Sequence, residues 1–253
     1  MIKIGIVGCG AMGTELAIAI CRNIPEMRLI AVNDCIPGRA KQLIEKINPL
    51  LSPFTKGGIK GDLKVKAVEL PELVRRTDLV VECAHPQIVP EVLRAAVKYR
   101  RDVMVMSAGG LLANGLLTRK LIQRGNKIYL PSGAIAGIDA IKSARIGGIK
   151  KVTLTTRKPA SSFSGVKYLQ DRGINPGKFK TARTVFMGNV IQAVQKFPVN
   201  INVAAPLALA GIGAEKTRVR IIADPKIKRN VHEITVTAKC GTITTTTENI
   251  PSS

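Results

Sequence analysis

The feature that most restricts the fold is the opening run IKIGIVGCGAMGTELAIAI, residues 2–20. An apolar stretch of strand length passes directly into Gly8-Cys9-Gly10-Ala11-Met12-Gly13, and apolar residues at helical spacing follow. The pattern G-x-G-x-x-G says little alone. Between a buried strand and a helix it describes the first turn of a βαβ unit that holds a pyrophosphate. Gly8 permits the tight turn, Gly10 removes the Cβ that would keep a phosphate off the backbone, and Gly13 lets helix and strand pack closely. Ala11 and Met12 open a helix whose first N–H groups lack partners and whose dipole favours an anion. Asp34 ends the next strand, 21 residues after Gly13. An acid there accepts hydrogen bonds from the adenosine ribose and favours NAD. Arg39 suits a 2′-phosphate, with a solvated helix position as an equal reading, so the expected cofactor is NAD or NADP.

Strands and helices alternate through residue 133. Strand-like runs at 27–34, 63–69, 78–84, 102–108 and 126–133 are separated by helical patterns at 37–47, 86–100 and 116–125. Near-continuous apolar strands in that order predict a parallel, doubly wound α/β sheet of the Rossmann type, covered on both faces. The segment NPLLSPFTKGGIKGD (48–62) reads as a surface loop. Such sheets bind ligands beyond the carboxyl ends of their strands. Cys83 and Ala84 follow one strand there and Ser107 follows another, leaving room for a nicotinamide ribose. His85 precedes Pro86 and reads as a loop residue rather than a catalyst.

After residue 133 the rhythm changes. A helix over AIAGIDAIKSARI, a strand over KKVTLTTRKPA, a strand passing into a helix at 182–197 and a helix at 200–212 lead to three strands, TRVRIIADP, NVHEITVTA and TITTTTENI. Consecutive strands with short connections predict a mostly antiparallel sheet. The expected organisation is a dinucleotide-binding domain over 1–131, to which the last few residues of the chain return, and an α+β catalytic and dimerisation domain over 132–253.

Composition narrows the function. The formal charge is +22, from 39 basic and 17 acidic residues. The cations are spread along the chain in pairs such as Arg75-Arg76 and Lys150-Lys151, with no basic arm. A surface that steers small anions is favoured over a nucleic-acid interface; with 3% aromatics and no Trp, stacking platforms for bases are not expected. The five cysteines, Cys9, Cys21, Cys35, Cys83 and Cys240, are scattered and lack C-x-x-C. Buried free thiols are expected, not a disulfide framework or a metal site. With neither a signal segment nor a long uncharged apolar run, the reading is a cytoplasmic protein without a membrane span.

The motifs GIVGCGAMG, VVECAHP, LPSGAIAGIDAI, KFPVNINVAA, EKTRVRIIADP, NVHEI and ENIPS cover nearly the whole chain, and with them it resembles the L-aspartate dehydrogenase family of archaea and bacteria. The resemblance implies NAD(P)-dependent oxidation of L-aspartate to iminosuccinate, which hydrolyses to oxaloacetate and ammonia or feeds quinolinate and NAD synthesis. It also implies a homodimer. By the family pattern the histidine of N-x-H, here His232, is the catalytic group. Asn200 and Asn202 would lie near the substrate, and the PSGAI segment, Ser132 to Ile135, would line the cleft between the domains, with Ser132, Gly133 and Ala134 as substrate-binding residues. Two features depart from the pattern: His85 stands where a small residue is usual, and the family's usual tail after ENIPS does not follow Ser253.

The residues themselves support part of this. Oxidising an amino acid requires the α-ammonium to lose a proton, and a histidine of reference pKa about 6.5 suits that near neutrality. His232 is one of two histidines in the chain. Its neighbour Asn230 could orient it or bind substrate; a backbone-satisfied strand histidine is the competing reading. Aspartate carries two carboxylates, so cations should flank its pocket. Lys216 and Arg218 are candidates, although solvated strand positions suit them better. Two rival functions stand beside this one: another two-domain NAD(P) oxidoreductase, acting on homoserine, an imine or a sugar, and a non-catalytic NAD-sensing nucleic-acid binder.

Overall fold

The structure is a computed structural model that describes residues 1–51, 64–197 and 202–250. The chain divides into two compact units, Met1–Pro131 and Ser132–Ser253. In the first, the elements are β1 (Ile2–Val7), α1 (Ala11–Asn23), β2 (Met27–Asn33), α2 (Arg39–Leu51), β3 (Lys66–Ala67), α3 (Leu70–Arg76), β4 (Leu79–Glu82), α4 (Val89–Tyr99), β5 (Asp102–Val105), α5 (Gly109–Ala113), α6 (Gly115–Gln123) and β6 (Ile128–Tyr129). The strands form one parallel sheet in the order β3-β2-β1-β4-β5-β6.

The apolar run of β1 makes it the central strand, because successive side chains need cover on opposite faces. Ile4 and Ile6 are buried with Ala17, Ile20, Leu43 and Ile47 from α1 and α2. Val7 joins Leu73, Val74, Leu93 and Ala96 from α3 and α4 on the other side. Each buried Val, Leu or Ile side chain among them contributes about 1.5–3 kcal/mol. Strand order reverses between β1 and β4, and the glycine loop and the Cys83–Ala84 turn both leave the sheet at that point.

Several elements of this unit differ from the sequence reading. Helix α2 runs past residue 47 and includes Pro49, because Leu50 packs against the same apolar cluster as Leu43 and Ile47; tertiary packing overrides a breaker placed in the last turn. Residues 48–51 of the expected loop are therefore helical, and 52–63 lie outside the described residues. Helix α3 has no counterpart in the sequence reading, because seven residues give little periodicity; its proline sits in the first turn, where the missing N–H has no partner to lose. Strands β3 and β6 are two residues each, shorter than their patterns suggest.

The second unit contains α7 (Ile138–Gly147), β7 (Ile149–Pro159), α8 (Lys167–Gln170), β8 (Arg183–Asn189), α9 (Val190–Lys196), α10 (Ala204–Ala210), β9 (Arg218–Asp224), β10 (Asn230–Ala238) and β11 (Gly241–Asn249). Its sheet has the order β11-β10-β7-β9-β8. All pairs are antiparallel except β7 with β9. Register sets the faces. His232, Ile234 and Val236 of β10 lie opposite Thr156, Leu154 and Val152 of β7. This inner face is buried, with α7 packed on β10 and α10 on α7. The outer face carries Thr153, Thr155, Thr235 and Thr237, which are half-buried. Residues 161–181, without a readable period, fold as short turns beside a cluster in which Tyr168, Phe186 and Phe197 pack together and Phe163 packs on Phe197.

Among the described residues, no helix is long and apolar enough to cross a membrane.

Candidate active site

The glycine loop has the geometry that an approaching pyrophosphate needs. Gly8 adopts φ +101°, a conformation that a side chain would strain. A methyl on Gly13 would collide with the Gly8 carbonyl and lie 3.2 Å from the Cys83 Sγ. The space where a Gly10 Cβ would project is open to 4 Å. Gly10 is the N-cap of the 13-residue α1, and no side chain caps that end. The N–H groups opened by Ala11 and Met12, both exposed, therefore remain available to a phosphate. Asp34 is tied to this loop: the Cys9 N–H donates to its Oδ2 at 2.7 Å and the Ile36 N–H to its Oδ1 at 2.8 Å. Each carboxylate oxygen retains a second lone pair for a ribose hydroxyl. Arg39, exposed at the start of α2, lies close enough to act electrostatically on Cys9.

Glu82 organises the carboxyl edge of β4 and β5, a role the sequence reading missed. Its side chain is fully buried. It accepts from the Ala84 N–H at 2.8 Å, from the Ser107 N–H at 3.0 Å and from the Ser107 hydroxyl at 2.8 Å. Burial pushes its carboxyl above the usual range, opposed by those donors. The Ser107 proton is thus committed to Glu82, and Ser107 meets a ligand only through its remaining lone pairs. An acid closing a buried strand, DLVVE, was the available signal. The Cys83 thiol donates to the carbonyls of Gly8 and Val7 at 3.3 and 3.5 Å. Burial, then the Asp34 carboxylate, pushes the Cys9 thiol up to about 12; burial, then Glu82, the Cys9 thiol and Asp34, does the same for Cys83. Both therefore stay protonated at neutral pH. Cys35 and Cys240 are exposed, which corrects the expectation of uniformly buried thiols. His85 is exposed, and its Nδ1 accepts from the Gln87 N–H at 3.4 Å within a turn.

In the second unit His232 is 4% exposed, and its Nδ1 lies 2.7 Å from the Oγ1 of Thr156, itself 0% exposed. Burial, reinforced by the Lys158 cation, pushes the imidazole down to about 4, so it is neutral at neutral pH. Lys158 follows Thr156 by two residues on β7 and so projects to the same face; burial pushes its ammonium down to about 8. Asn230 begins β10 two residues before His232, and its Oδ1 is buried with no hydrogen-bond partner among the described residues.

The PSGAI segment is fixed beside these groups by the edge strand. Thr247 and Asn249 of β11, paired with His232 and Asn230, donate to the Ala134 carbonyl at 2.6 and 3.0 Å. Thr245 holds the Ala136 carbonyl at 3.2 Å. Ser132 and Ala134 are half-buried and Gly133 is exposed, at φ +65°. The second unit therefore assembles His232, Asn230 and the 132–134 segment with Thr156, Lys158, Thr247 and Asn249, which the sequence reading did not single out.

Of the remaining candidates from the sequence, none is tied to this group among the described residues. Asn202 is exposed in the turn before α10, and Asn200 lies outside the described residues. Arg218 pairs with Thr153 in the register, which places it on the face opposite His232. With Lys216, Arg145, Lys150 and Lys151 it lines a separate basic concavity. Among the described residues, no cluster of His, Cys, Asp or Glu could hold a metal ion.

Comparison with known proteins accounts for both units. A family model described as the NAD binding domain of homoserine dehydrogenase matches residues 8–131, and one described as the C-terminal part of aspartate dehydrogenase matches 139–253. The L-aspartate dehydrogenase of Methanococcoides burtonii is 42% identical over 254 residues, covering 99% of this chain and 89% of the relative. L-aspartate dehydrogenase 3 of Bordetella bronchiseptica is 34% identical over 250 residues, covering 98% and 87%. The crystal structure of aspartate dehydrogenase from Thermotoga maritima superposes with a TM-score of 0.68 at 25% identity, covering 98% of this chain and 89% of that one. Full-length relatives at this identity, with a family-specific match over the second unit, establish that the chain belongs to the L-aspartate dehydrogenase family.

Proposed function

We propose that the protein oxidises L-aspartate with NAD or NADP to iminosuccinate, reversibly, and that the imine hydrolyses to oxaloacetate and ammonia or passes to quinolinate synthesis. The observation that carries this reading is the buried, neutral His232 of NVHEI, paired with Thr156 inside the unit that matches aspartate dehydrogenase. When bound, the nicotinamide ring supplies the hydride acceptor. The chain supplies binding and proton handling. The open α1 N-terminus and Gly10 hold the pyrophosphate, Asp34 accepts from the ribose, and Cys83, Ala84 and Ser107 border the nicotinamide end.

His232 takes the proton from the substrate's α-ammonium, which frees the nitrogen lone pair that drives hydride out of the Cα–H bond. For Nε2 to accept that proton, Nδ1 must carry its own and donate it to Thr156, so the threonine selects the tautomer. Asn230, the 132–134 segment, Asn200 and Asn202 belong to the proposed substrate lining. The half-buried threonines of the outer sheet face support the homodimer that the family resemblance implies, and free thiols support a reducing, cytoplasmic setting.

The test is absorbance at 340 nm with NAD and with NADP, against L-aspartate, homoserine and inositols. Aspartate-dependent growth of signal is expected. Signal with homoserine or an inositol and none with aspartate would replace this reading by the broader oxidoreductase one.

A further inference from the structure

Lys158, on the inner face of β7, is half-buried with no side-chain partner among the described residues. Lys158 makes no ion pair and no side-chain hydrogen bond among the described residues. The acid nearest along the sheet, Asp224 of β9, pairs with Pro159 in the register and so faces the other way. That carboxylate is already engaged by the Arg157 guanidinium at 3.2 Å and the Lys226 N–H at 2.9 Å. A largely desolvated ammonium without an anion is destabilising, and natural chains keep such groups chiefly where a ligand completes them.

The position of the ammonium identifies that ligand. Lys158 stands two residues from Thr156, the partner of His232, on the same face of the same strand. One step beyond the last paired residues, Val231 and Arg157, Asn230 comes alongside Lys158. Asn230 there presents a buried acceptor oxygen without a donor among the described residues. An unpaired cation, an unpaired acceptor and a neutral imidazole thus share one face. They complement the carboxylate of an amino acid and its α-ammonium, which carries the transferable proton.

We infer that Lys158 binds a carboxylate of the amino-acid substrate, with the Asn230 Oδ1 accepting from its ammonium beside His232. The assignment rests on the aspartate reading for the substrate's identity, but not for its charge. It also gives the lysine a second effect. Lys158 holds the imidazole's proton affinity down, and a carboxylate seated on the lysine cancels part of that field, so substrate binding makes His232 a better base.

The test compares wild type with Lys158→Met and Lys158→Arg in three measurements: steady-state kinetics with L-aspartate at saturating cofactor, calorimetric titration with succinate in the presence of NADH, and thermal melting. Lys158→Met is expected to raise KM for aspartate and weaken succinate roughly 10- to 100-fold, the loss of one charge-assisted hydrogen bond. Lys158→Arg should recover part of that affinity. NADH affinity should not change, and Lys158→Met should melt at or above the wild-type temperature, since an unpaired buried charge has been removed. Wild type active on aspartate with KM and succinate affinity unchanged in Lys158→Met overturns the lysine assignment and leaves the aspartate reading intact. Lysine-dependent succinate binding without aspartate oxidation by wild type does the reverse. A melting temperature that falls in Lys158→Met while ligand affinity holds marks a structural lysine and also overturns the assignment.

Discussion

At the scale of the residue, a neutral imidazole is the product of burial. His232 titrates at about 4 in the folded chain and at about 6.5 when unfolded. Between those values the unfolded chain binds the extra proton and the folded one does not, so stability rises with pH there and is lost as pH falls from 6.5 to 4. A shift of that size corresponds to up to about 3 kcal/mol. Melting curves from pH 7 down to pH 4 should therefore show wild type losing more stability than His232→Gln, which has no such group; parallel losses would mean the imidazole is not desolvated. His232 was legible as one of two histidines in a chain that otherwise avoids the residue. Lys158 was legible too, by parity: in KVTLTTRKP the positions Val152, Leu154, Thr156 and Lys158 alternate onto one face. A chain full of lysines hid it. Lys216 and Arg218 line a basic concavity, and Arg218 lies on the face opposite His232; the sequence shows spacing along a strand but not which face of the sheet is covered.

At the scale of the element, the glycine loop is where backbone geometry and binding meet. The strand, turn and helix around Gly8 to Gly13 were readable because each glycine answers a separate steric need, and the pattern repeats none of them by accident. Replacing Gly13 with alanine pushes a methyl into the Gly8 carbonyl. Such overpacking costs about 1–3 kcal/mol, and relief must come from moving either α1 or the turn that meets the phosphates. NADH affinity, followed by fluorescence titration, should drop about tenfold or more in Gly13→Ala; undiminished affinity would show that the turn does not touch the cofactor. Elements held by tertiary packing were less legible. Helix α3 is too short to display a period, and the last turn of α2 survives Pro49 only because Leu50 finds the core. The tie between β11 and the 132–136 segment could not be read at all, since hydrogen bonds between residues more than a hundred positions apart leave no local trace.

At the scale of the whole molecule, the charge of +22 sets the field in which anionic ligands arrive. Long-range steering of a dianion weakens as the screening length shrinks, from about 10 Å at 0.1 M salt to about 3 Å at 1 M. The expected result is kcat/KM for aspartate falling with ionic strength while kcat at saturation holds; a kcat/KM independent of salt would assign the charge to some other purpose. The division of labour between the units is the central claim: dinucleotide contacts in the first, proton transfer by His232 in the second. The most direct test measures His232→Ala for two quantities side by side, aspartate-dependent turnover at 340 nm and NADH binding by fluorescence. Turnover should fall by about 10²- to 10⁴-fold, the usual contribution of a positioned acid–base group, with NADH affinity unchanged. Near-wild-type turnover in that variant would contradict the account.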